Sequence, residues 1–242
     1  MQGKNASPAS AREDGRLVDI EAVRNVPIFA DLHTAQLTEL AGLLAVRRFA
    51  KGALLVVEGE PGDAFHLLLE GSVAVVRIAP DGRETILSIL KEGDFFGEMS
   101  LFDSSPRSAS IKALTSVEVG VIEQQAILDL IERNPSIGRA LVVSLSRRLR
   151  EANALIAATT SSDIRSRLAL LLLNLTANFG EAAENGTRIT LRLTNQQMAD
   201  MIGTTRETVN RTLNKFWDER VIDMRTSNIV VTDKAKLETL LP

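Results

Sequence analysis

One short run of this sequence holds residues whose types and spacing could bind a phosphate. In DFFGEMSLFDSSPRSAS, Gly97 and Glu98 precede a few helix-compatible residues, and Arg107 and Ser108 follow. The N–H groups at the start of a helix attract anions, and arginine can grip a phosphate with two parallel hydrogen bonds. Taken alone, a solvated surface loop fits the same pair of charges.

A second run, LTNQQMADMIGTTRETVNRTLNKFWDERVI, has the spacing of two consecutive helices. Thr194 with Gln197, and Thr204 with Glu207, are each placed as a capping box, which marks a helix start. Gly203 lies between them, where a sharp turn needs a flexible backbone. The sequence therefore predicts a helix, a short turn and a second helix.

The second of these helices is predicted to have two different faces. At 100° per residue, its polar residues share one arc and its apolar residues gather on another. The polar arc consists of Arg206, Glu207, Asn210, Arg211 and Asn214, and the apolar face of Val209, Leu213 and Phe216. One face can pack and the other stays free to contact a partner, although a simple helical hairpin has the same pattern.

The first run closely resembles the phosphate-binding cassette of cyclic-nucleotide-binding domains, in its FGEM half, its RSA half and their spacing. The resemblance implies that Glu98 accepts from the ribose 2′-hydroxyl, that Arg107 pairs with the cyclic phosphate, and that Gly97 lets the backbone approach it. A buried phosphate charge requires a well-placed opposite charge. The implied effector site comprises Gly97, Glu98, Met99, Ser100, Arg107, Ser108, Ala109, Arg148, Ala152 and Asn153.

The second run resembles the helix-turn-helix of the cyclic AMP receptor (CRP/FNR) family along its whole length, including RETVNR. The resemblance implies that Arg206, Glu207 and Arg211 read bases, arginine being suited to guanine and glutamate to cytosine. It implies phosphate contacts for the threonines, and a palindromic operator with a TGTGA-like half-site. The implied DNA-binding set is Thr194, Thr204, Thr205, Arg206, Glu207, Asn210 and Arg211.

These sites need a sensor scaffold and a dimer seam. Between residues 48 and 123, β-branched apolar runs alternate with Gly-rich turns, which predicts a small antiparallel β-roll. From Asn134 to about Thr160 the sequence predicts one long helix, with Pro135 at its first position. Its heptad stripe of Val142, Leu145, Leu149, Ala152, Ile156 and Thr159 indicates dimerisation, although an amphipathic helix packed on its own domain fits too.

Composition excludes several classes of protein. The 242 residues contain no cysteine, so no disulfide, thiolate metal site or cysteine-ligated iron–sulfur cluster can form. His33 and His66 are the only histidines, which makes a zinc site improbable and gives haem sensing no supporting pattern. The apolar run Leu168 to Leu173 is too short to span a bilayer, and the polar N-terminus lacks a signal-peptide pattern, so we expect a cytoplasmic protein with no membrane partner.

The sequence thus predicts an α+β chain with a jelly-roll-like sensor, a long dimerisation helix and a winged helix-turn-helix. We expect a disordered tail over 1–18, a nucleotide-binding domain over 19–133, the helix over 134–160 and the DNA-binding domain over 161–242. The expected protein is a homodimeric, ligand-gated transcription regulator with no catalytic residues, metal, haem or iron–sulfur cluster. A nucleotide-hydrolysing enzyme and an interaction module without DNA binding are the rival readings.

Two further expectations follow from the resemblance. Family activators touch RNA polymerase at a position that corresponds to Gly180–Thr187, which we expect to be an exposed loop. In the receptor family a Thr-Ser pair of the long helix hydrogen-bonds adenine, and here Ala152 and Asn153 take those positions. Ala152 cannot make that bond, while Asn153 offers a donor and an acceptor. Cyclic AMP is the expected effector, and cyclic GMP, cyclic di-GMP or ligand-independent action remain alternatives.

Overall fold

A computed structural model of the chain describes residues 12–13, 20–160 and 163–241. The predicted disordered tail, residues 1–18, falls outside that range except at Arg12 and Glu13, which differ from the prediction because they form strand β1. The chain divides into two compact units, one ending at Ser146 and the other beginning at Arg147. This division falls inside the long helix rather than at either of its ends.

Within the residues that the structure describes, the first unit contains nine short strands and four helices, together with the first half of the long helix α5 (Pro135–Thr160). The other helices are α1 (Ile20–Arg24), α2 (Thr34–Leu43), α3 (Glu98–Asp103) and α4 (Gln124–Arg133), with a 3-10 turn at Pro27–Phe29. The strands are β1 (Arg12–Glu13), β2 (Ala45–Phe49), β3 (Leu54–Val56), β4 (Ala64–Glu70), β5 (Ser72–Ile78), β6 (Glu84–Lys91), β7 (Phe95–Phe96), β8 (Ser110–Ala113) and β9 (Val117–Glu123).

These strands form two antiparallel sheets, in the orders β1-β2-β9-β4-β7 and β3-β8-β5-β6. One core lies between the sheets and includes Leu68, Val73 and Phe96. A second core, including Phe65 and Leu67, packs the other face of β4 against the helices. The predicted antiparallel β-roll is confirmed, and the alternation of side chains along a strand explains how β4 serves both cores.

The second unit is a small α+β body around helix α6. Its helices are α6 (Ile164–Phe179), α7 (Asn195–Ile202), α8 (Arg206–Asp218) and α9 (Lys234–Glu238), and its strands are β10 (Gly180–Ala183), β11 (Gly186–Ile189), β12 (Ile222–Asp223) and β13 (Val230–Val231). The four strands form one sheet in the order β10-β11-β13-β12. The β12–β13 hairpin beside α7 and α8 is the predicted wing.

The loop expected over Gly180–Thr187 is wrong in its conformation. These residues form the β10–β11 hairpin, in which Gly180 pairs with Ile189 and Ala183 with Gly186. Strand β11 pairs in turn with β13, which extends the wing sheet. The pairing of β11 with β13 outweighs the low β propensity of Gly, Glu and Ala in this segment.

The long helix begins at Pro135, as the sequence predicts, but the side chain of Asn134 does not cap it. The Asn134 amide instead donates to the Leu130 carbonyl over 3.0 Å, and its oxygen accepts from Gln36 of α2. The asparagine therefore ties the end of α4 to α2 at the point where α5 starts. Among the described residues, no helix combines the length and the apolarity that crossing a membrane requires.

Gly71 forms a tight turn of the roll that leaves no room for a side chain. Its φ is +87°, and an added Cβ would press on the Ser116 carbonyl and lie 2.7 Å from the Thr115 hydroxyl. Gly82 has nearly the same φ, +82°, with no atom within 4 Å of an added Cβ. We expect Gly82→Ala to lower the free energy of unfolding by about 1–2 kcal/mol, for the left-handed backbone alone.

For Gly71→Ala we expect a loss of about 3 kcal/mol or more, because a backbone clash adds to the same backbone strain. Urea unfolding of both variants measures the difference. Equal losses at the two positions would contradict the packing argument.

Candidate functional site

The candidate phosphate site is built where β7 leads into α3. Strand β7 ends at Phe96, and Gly97 then adopts a left-handed conformation, with φ +83°, immediately before α3 begins at Glu98. The positive φ suits glycine and turns the chain sharply into the helix. Glu98 and Ser100 of α3 are buried, at 6% and 2% exposure. The turn thus places a carboxylate and a hydroxyl in the interior of the roll.

Arg107 is the buried cation of this site, with only 6% of its surface exposed. Its Nη1 donates to the Gly97 carbonyl and its Nη2 to the Ala64 carbonyl, both over 2.8 Å. Burial lowers the pKa of the Arg107 guanidinium, while the carboxylates of Asp63 and Glu98 oppose that shift. The guanidinium remains charged, because arginine keeps its proton in proteins.

The loop between β3 and β4 holds Arg107 from the other side. The Arg107 N–H donates to the Glu60 carbonyl and its carbonyl accepts from the Gly59 N–H, both over 2.9 Å. A Cβ added to Gly62 would collide with the Ser100 side chain and lie 2.9 Å from Arg107 Nε. The structure therefore brings Gly97, Ser100 and Arg107 together under this loop, with Glu98 close enough to act on the guanidinium charge.

The other predicted cassette residues occupy the surface beside this buried set. Met99 is 53% exposed, and the exposed Ser108 hydroxyl donates to its sulfur over 3.4 Å. Ala109 is nearly buried where β8 begins. All seven predicted residues from Gly97 to Ala109 thus lie in one region of the first unit.

The remaining predicted effector residues lie in the second unit, on the later half of α5. Arg148 is partly exposed, whereas Ala152 and Asn153 are exposed. On the predicted seam, Val142 and Leu149 are 63% and 62% exposed, and Leu145 packs partly against the core of the first unit. The side chains of Ile156 and Thr159 lie outside the described residues.

The predicted helix-turn-helix is present in the second unit. The Thr194 hydroxyl accepts from the Gln197 N–H over 3.1 Å, and the Gln197 side chain accepts from the Thr194 N–H, which completes the predicted capping box of α7. Gly203 ends α7 with φ +66°. For α8 the N-cap is Thr205 rather than Thr204, because the Thr205 hydroxyl accepts from the Thr208 N–H. The next residue, Arg206, starts the helix.

Helix α8 has the two faces that the sequence predicts. Val209, Leu213 and Phe216 are buried, and the polar arc is exposed throughout. That arc comprises Arg206, Glu207, Asn210, Arg211 and Asn214. The Asn210 oxygen accepts from Asn195 of α7 over 3.2 Å, which fixes one side of its amide. Trp217 continues the exposed arc toward the C-terminal end of α8, with 43% of its surface exposed.

Two arginines of α6 hold the helix-turn-helix in place, and sequence reasoning did not single them out. Arg167 donates through Nη1 to the Ile202 carbonyl over 2.8 Å, at the C-terminal end of α7. Arg165 pairs with Glu219 over 2.8 Å, and its guanidinium lies 5.4 Å from the centroid of the Phe216 ring. A cation at a helix C-terminus is favourable. The first turn of α6 therefore contacts the ends of both α7 and α8.

His66 of β4 is a further residue beside the candidate phosphate site, and its place in the sequence does not single it out. Its ring stacks on Phe96, with centroids 4.8 Å apart and 9° between the planes. Burial, followed by the positive charges of Arg107 and Arg47, lowers the pKa of His66 from 6.5 to about 3, against an opposing effect of the Ala64 carbonyl. The imidazole is therefore neutral at physiological pH.

Comparison with known proteins assigns both units. Residues 46–134 match the family model described as a cyclic nucleotide-binding domain, and residues 166–240 match the Crp-like helix-turn-helix domain. A CRP-like cAMP-activated global transcriptional regulator of Mycobacterium tuberculosis is 33% identical over 217 residues, covering 90% of this chain and 97% of the relative.

Solved structures give the same result. A CRP-family transcriptional regulator of Thermus thermophilus superposes with a TM-score of 0.63 at 27% identity, covering 80% of this chain and 95% of that one. The c-di-GMP responsive regulator CLP of Xanthomonas campestris superposes with a TM-score of 0.70 at 24% identity, covering 82% and 99%. The second likeness concerns the fold alone.

The shifted pKa of His66 predicts an acid-sensitive contribution to stability. Between pH 6.5 and about 3 the unfolded chain binds a proton at His66 that the folded chain does not, so stability falls as the pH falls through this range. We expect His66→Phe to reduce the loss in unfolding free energy between pH 7 and pH 5. Urea unfolding at the two pH values measures it, and His33→Gln, which removes the other histidine, is the control. An unchanged loss in His66→Phe would contradict the assignment.

Proposed function

The chain belongs to the CRP/FNR family of transcription regulators, and from that premise we propose that it is a cyclic AMP-responsive homodimer that binds a palindromic operator. The two matching domain models make it a cyclic-nucleotide-binding and DNA-binding transcription regulator. The proposal concerns the finer points, which are the nucleotide, the contacting residues, the assembly and the operator. The observation that carries it is the buried Arg107 beside Gly97, Glu98 and Ser100.

In this proposal the cassette binds the sugar and the phosphate. Arg107 pairs with the cyclic phosphate, and Glu98 accepts from the ribose 2′-hydroxyl. Ser108 and the Ala109 amide add phosphate hydrogen bonds, while Gly97, Met99 and Ser100 line the approach. Two supports are that Arg107 and Glu98 are both buried, and that a buried cation is stabilised when an anion of matching geometry joins it.

The base is read from the long helix. Arg148, Ala152 and Asn153 take this role, with Asn153 supplying the donor and acceptor that Ala152 lacks. Cyclic AMP is favoured because the similar regulator of M. tuberculosis is described as cAMP-activated. The alanine at position 152 keeps cyclic GMP and cyclic di-GMP as competing ligands for the test.

The protein acts as a homodimer through α5. The support is the exposed apolar surface of Val142 and Leu149, which lie one heptad apart on the same face of the helix. Exposed large apolar side chains on one face of a helix mark an interaction surface. A two-fold axis along this seam would present two α8 helices to half-sites one helical turn apart.

DNA recognition is assigned to α8 and the caps around it. Arg206, Glu207 and Arg211 read base edges of a TGTGA-like half-site, with Asn210 on the same exposed arc. Thr194, Thr204 and Thr205 contact phosphates at the starts of the two helices. The β10–β11 hairpin is the proposed contact for RNA polymerase, because the family resemblance relates residues 180–187 to the segment through which family activators touch the polymerase.

Nucleotide binding controls DNA binding only if the nucleotide has a higher affinity for the dimer state with correctly placed α8 helices. A ligand that binds both states equally shifts nothing. Calorimetric titration with cyclic AMP, cyclic GMP and cyclic di-GMP, followed by operator binding with each, tests the proposal. If none of the three nucleotides binds, the proposal of a cyclic-nucleotide effector is wrong. If no palindromic duplex binds, the proposal of a palindromic operator is wrong.

Asn153→Ala tests the assignment of the base contact. We expect cyclic AMP affinity to fall about tenfold, because one hydrogen bond to the base is lost, while the preference among nucleotides weakens. Glu151→Ala, at an exposed position of the same helix, is the matched control. Unchanged affinity and unchanged choice of ligand in Asn153→Ala would remove Asn153 from the site.

Arg206→Ala tests the base-reading assignment. We expect a loss of about 1–3 kcal/mol in operator binding and a relaxed preference at one guanine, measured with duplexes substituted at each position. Lys215→Ala, exposed on α8 but off the polar arc, should leave that preference in place. If Arg206→Ala weakened binding equally on all sequences, Arg206 would be a backbone contact instead.

A further inference from the structure

A buried nitrogen beside Arg107 has no hydrogen bond. His66 Nδ1 is shut off from solvent, and among the described residues nothing donates to it or accepts from it. Buried polar atoms of folded proteins are nearly always hydrogen-bonded, so such an atom marks strain, function or a partner that arrives later. The position of this nitrogen favours the last of these.

His66 Nδ1 lies on the same side of Gly97 as the end of Arg107. A Cβ built on Gly97 would touch Arg107 Nη1 and would lie 3.0 Å from the Ala64 carbonyl oxygen and 3.1 Å from His66 Nδ1. The imidazole, the guanidinium and the Ala64 carbonyl therefore converge on one point. Stacking on Phe96, whose strand runs directly into Gly97, fixes the plane of the imidazole there.

Two backbone carbonyls hold the Arg107 guanidinium in its present position. Both terminal nitrogens donate to backbone oxygens, Nη1 to Gly97 and Nη2 to Ala64. Arg107 Nε lies 2.9 Å from the place that a Cβ on Gly62 would occupy. A guanidinium has five N–H donors, so a two-bond grip on a phosphate does not by itself require either bond to break, but a phosphate that pulls the group toward itself lengthens its bonds to the two carbonyls.

We propose that His66 is a positioning residue for Arg107, whose Nδ1–H takes over the Ala64 carbonyl when a phosphate draws the guanidinium away. The inference rests on the proposed phosphate contact of Arg107. It adds an exchange of donors: one hydrogen bond to the Ala64 carbonyl breaks, another forms, and no proton is transferred. The carbonyl stays paired throughout, and leaving it unpaired inside the roll would weaken binding.

The neutrality of His66 fits this role. A neutral imidazole has one N–H donor, whereas a protonated one would repel Arg107 and Arg47. Burial and the charges of Arg107 and Arg47 lower the pKa to about 3 and keep the ring neutral, although the Ala64 carbonyl opposes that shift. If His66 only stacked on Phe96, its Nδ1 would not need to carry a hydrogen. If His66 donates to the Ala64 carbonyl, its Nδ1 must carry one.

Nitrogen-15 NMR of the imidazoles distinguishes the stacking role of His66 from the hydrogen-bonding role. The chain has two histidines, so His33→Gln assigns the signals of His66. In wild-type protein with saturating cyclic AMP, and in Arg107→Met protein without nucleotide, we expect a protected proton on His66 Nδ1 with a downfield shift. A proton on Nε2 alone in the folded Arg107→Met protein overturns the exchange, whether or not the wild type binds nucleotide.

Two substitutions separate the nitrogen from the ring. His66→Phe keeps the stacking surface and loses the donor, and His66→Asn keeps a donor near the Nδ1 position and loses the ring. We expect cyclic AMP affinity to fall about tenfold in His66→Phe and to stay within about threefold of wild type in His66→Asn. Wild-type affinity in His66→Phe, or an equal loss in both variants, overturns the proposal.

The design also keeps the two proposals apart. If wild-type protein binds no cyclic nucleotide, the proposed function fails, while the Arg107→Met spectrum still decides whether His66 can take the Ala64 carbonyl. If wild-type protein binds nucleotide and the Nδ1 proton never appears, only the role of His66 fails.

Discussion

A guanidinium group enclosed by protein is the constraint on which the sensor unit depends. Arg107 needs acceptors because its charge lies in the interior, and the roll supplies them as backbone carbonyls of β4 and of the turn before α3. The same turn requires a glycine, and the loop over it requires Gly62, since side chains there would occupy the space of Ser100 and Arg107. The strand pairing, the turn and the loop therefore all serve to place and pair one buried cation. This cation is in position before a phosphate binds.

Two arginines also make the contacts that position the helices of the DNA-binding unit. Arg167 and Arg165 reach from the first turn of α6 to the ends of α7 and α8. The buried face of α8 supplies apolar packing through Val209, Leu213 and Phe216, and the two arginines add directional contacts at the helix ends. Orientation of a reading helix needs both, because apolar contacts alone are not directional.

Features that depend on neighbouring residues could be predicted from the sequence. The capping box of Thr194 with Gln197 and the two faces of α8 are local, and both appear as expected. The start of α8 moved by one threonine, because two adjacent threonines can each cap a helix and only geometry chooses between them. Contacts between distant segments could not be predicted: the acceptors of Arg107 are backbone carbonyls, which carry no side-chain signature, and the β10–β11 hairpin depends on its pairing with β13. Recognition of the cassette motif supplied what periodicity could not.

The exposed indole on α8 gives the protein a built-in optical reporter. Trp217 is the single tryptophan of the chain and belongs to the DNA-binding unit, whereas the phosphate cassette lies in the other unit. Tyrosine is absent as well, so excitation of the protein observes one chromophore at one place. Once the absorption of the nucleotide itself is corrected for, a change in Trp217 emission on nucleotide addition reports a change in the surroundings of the reading helix, and no label is needed to follow it.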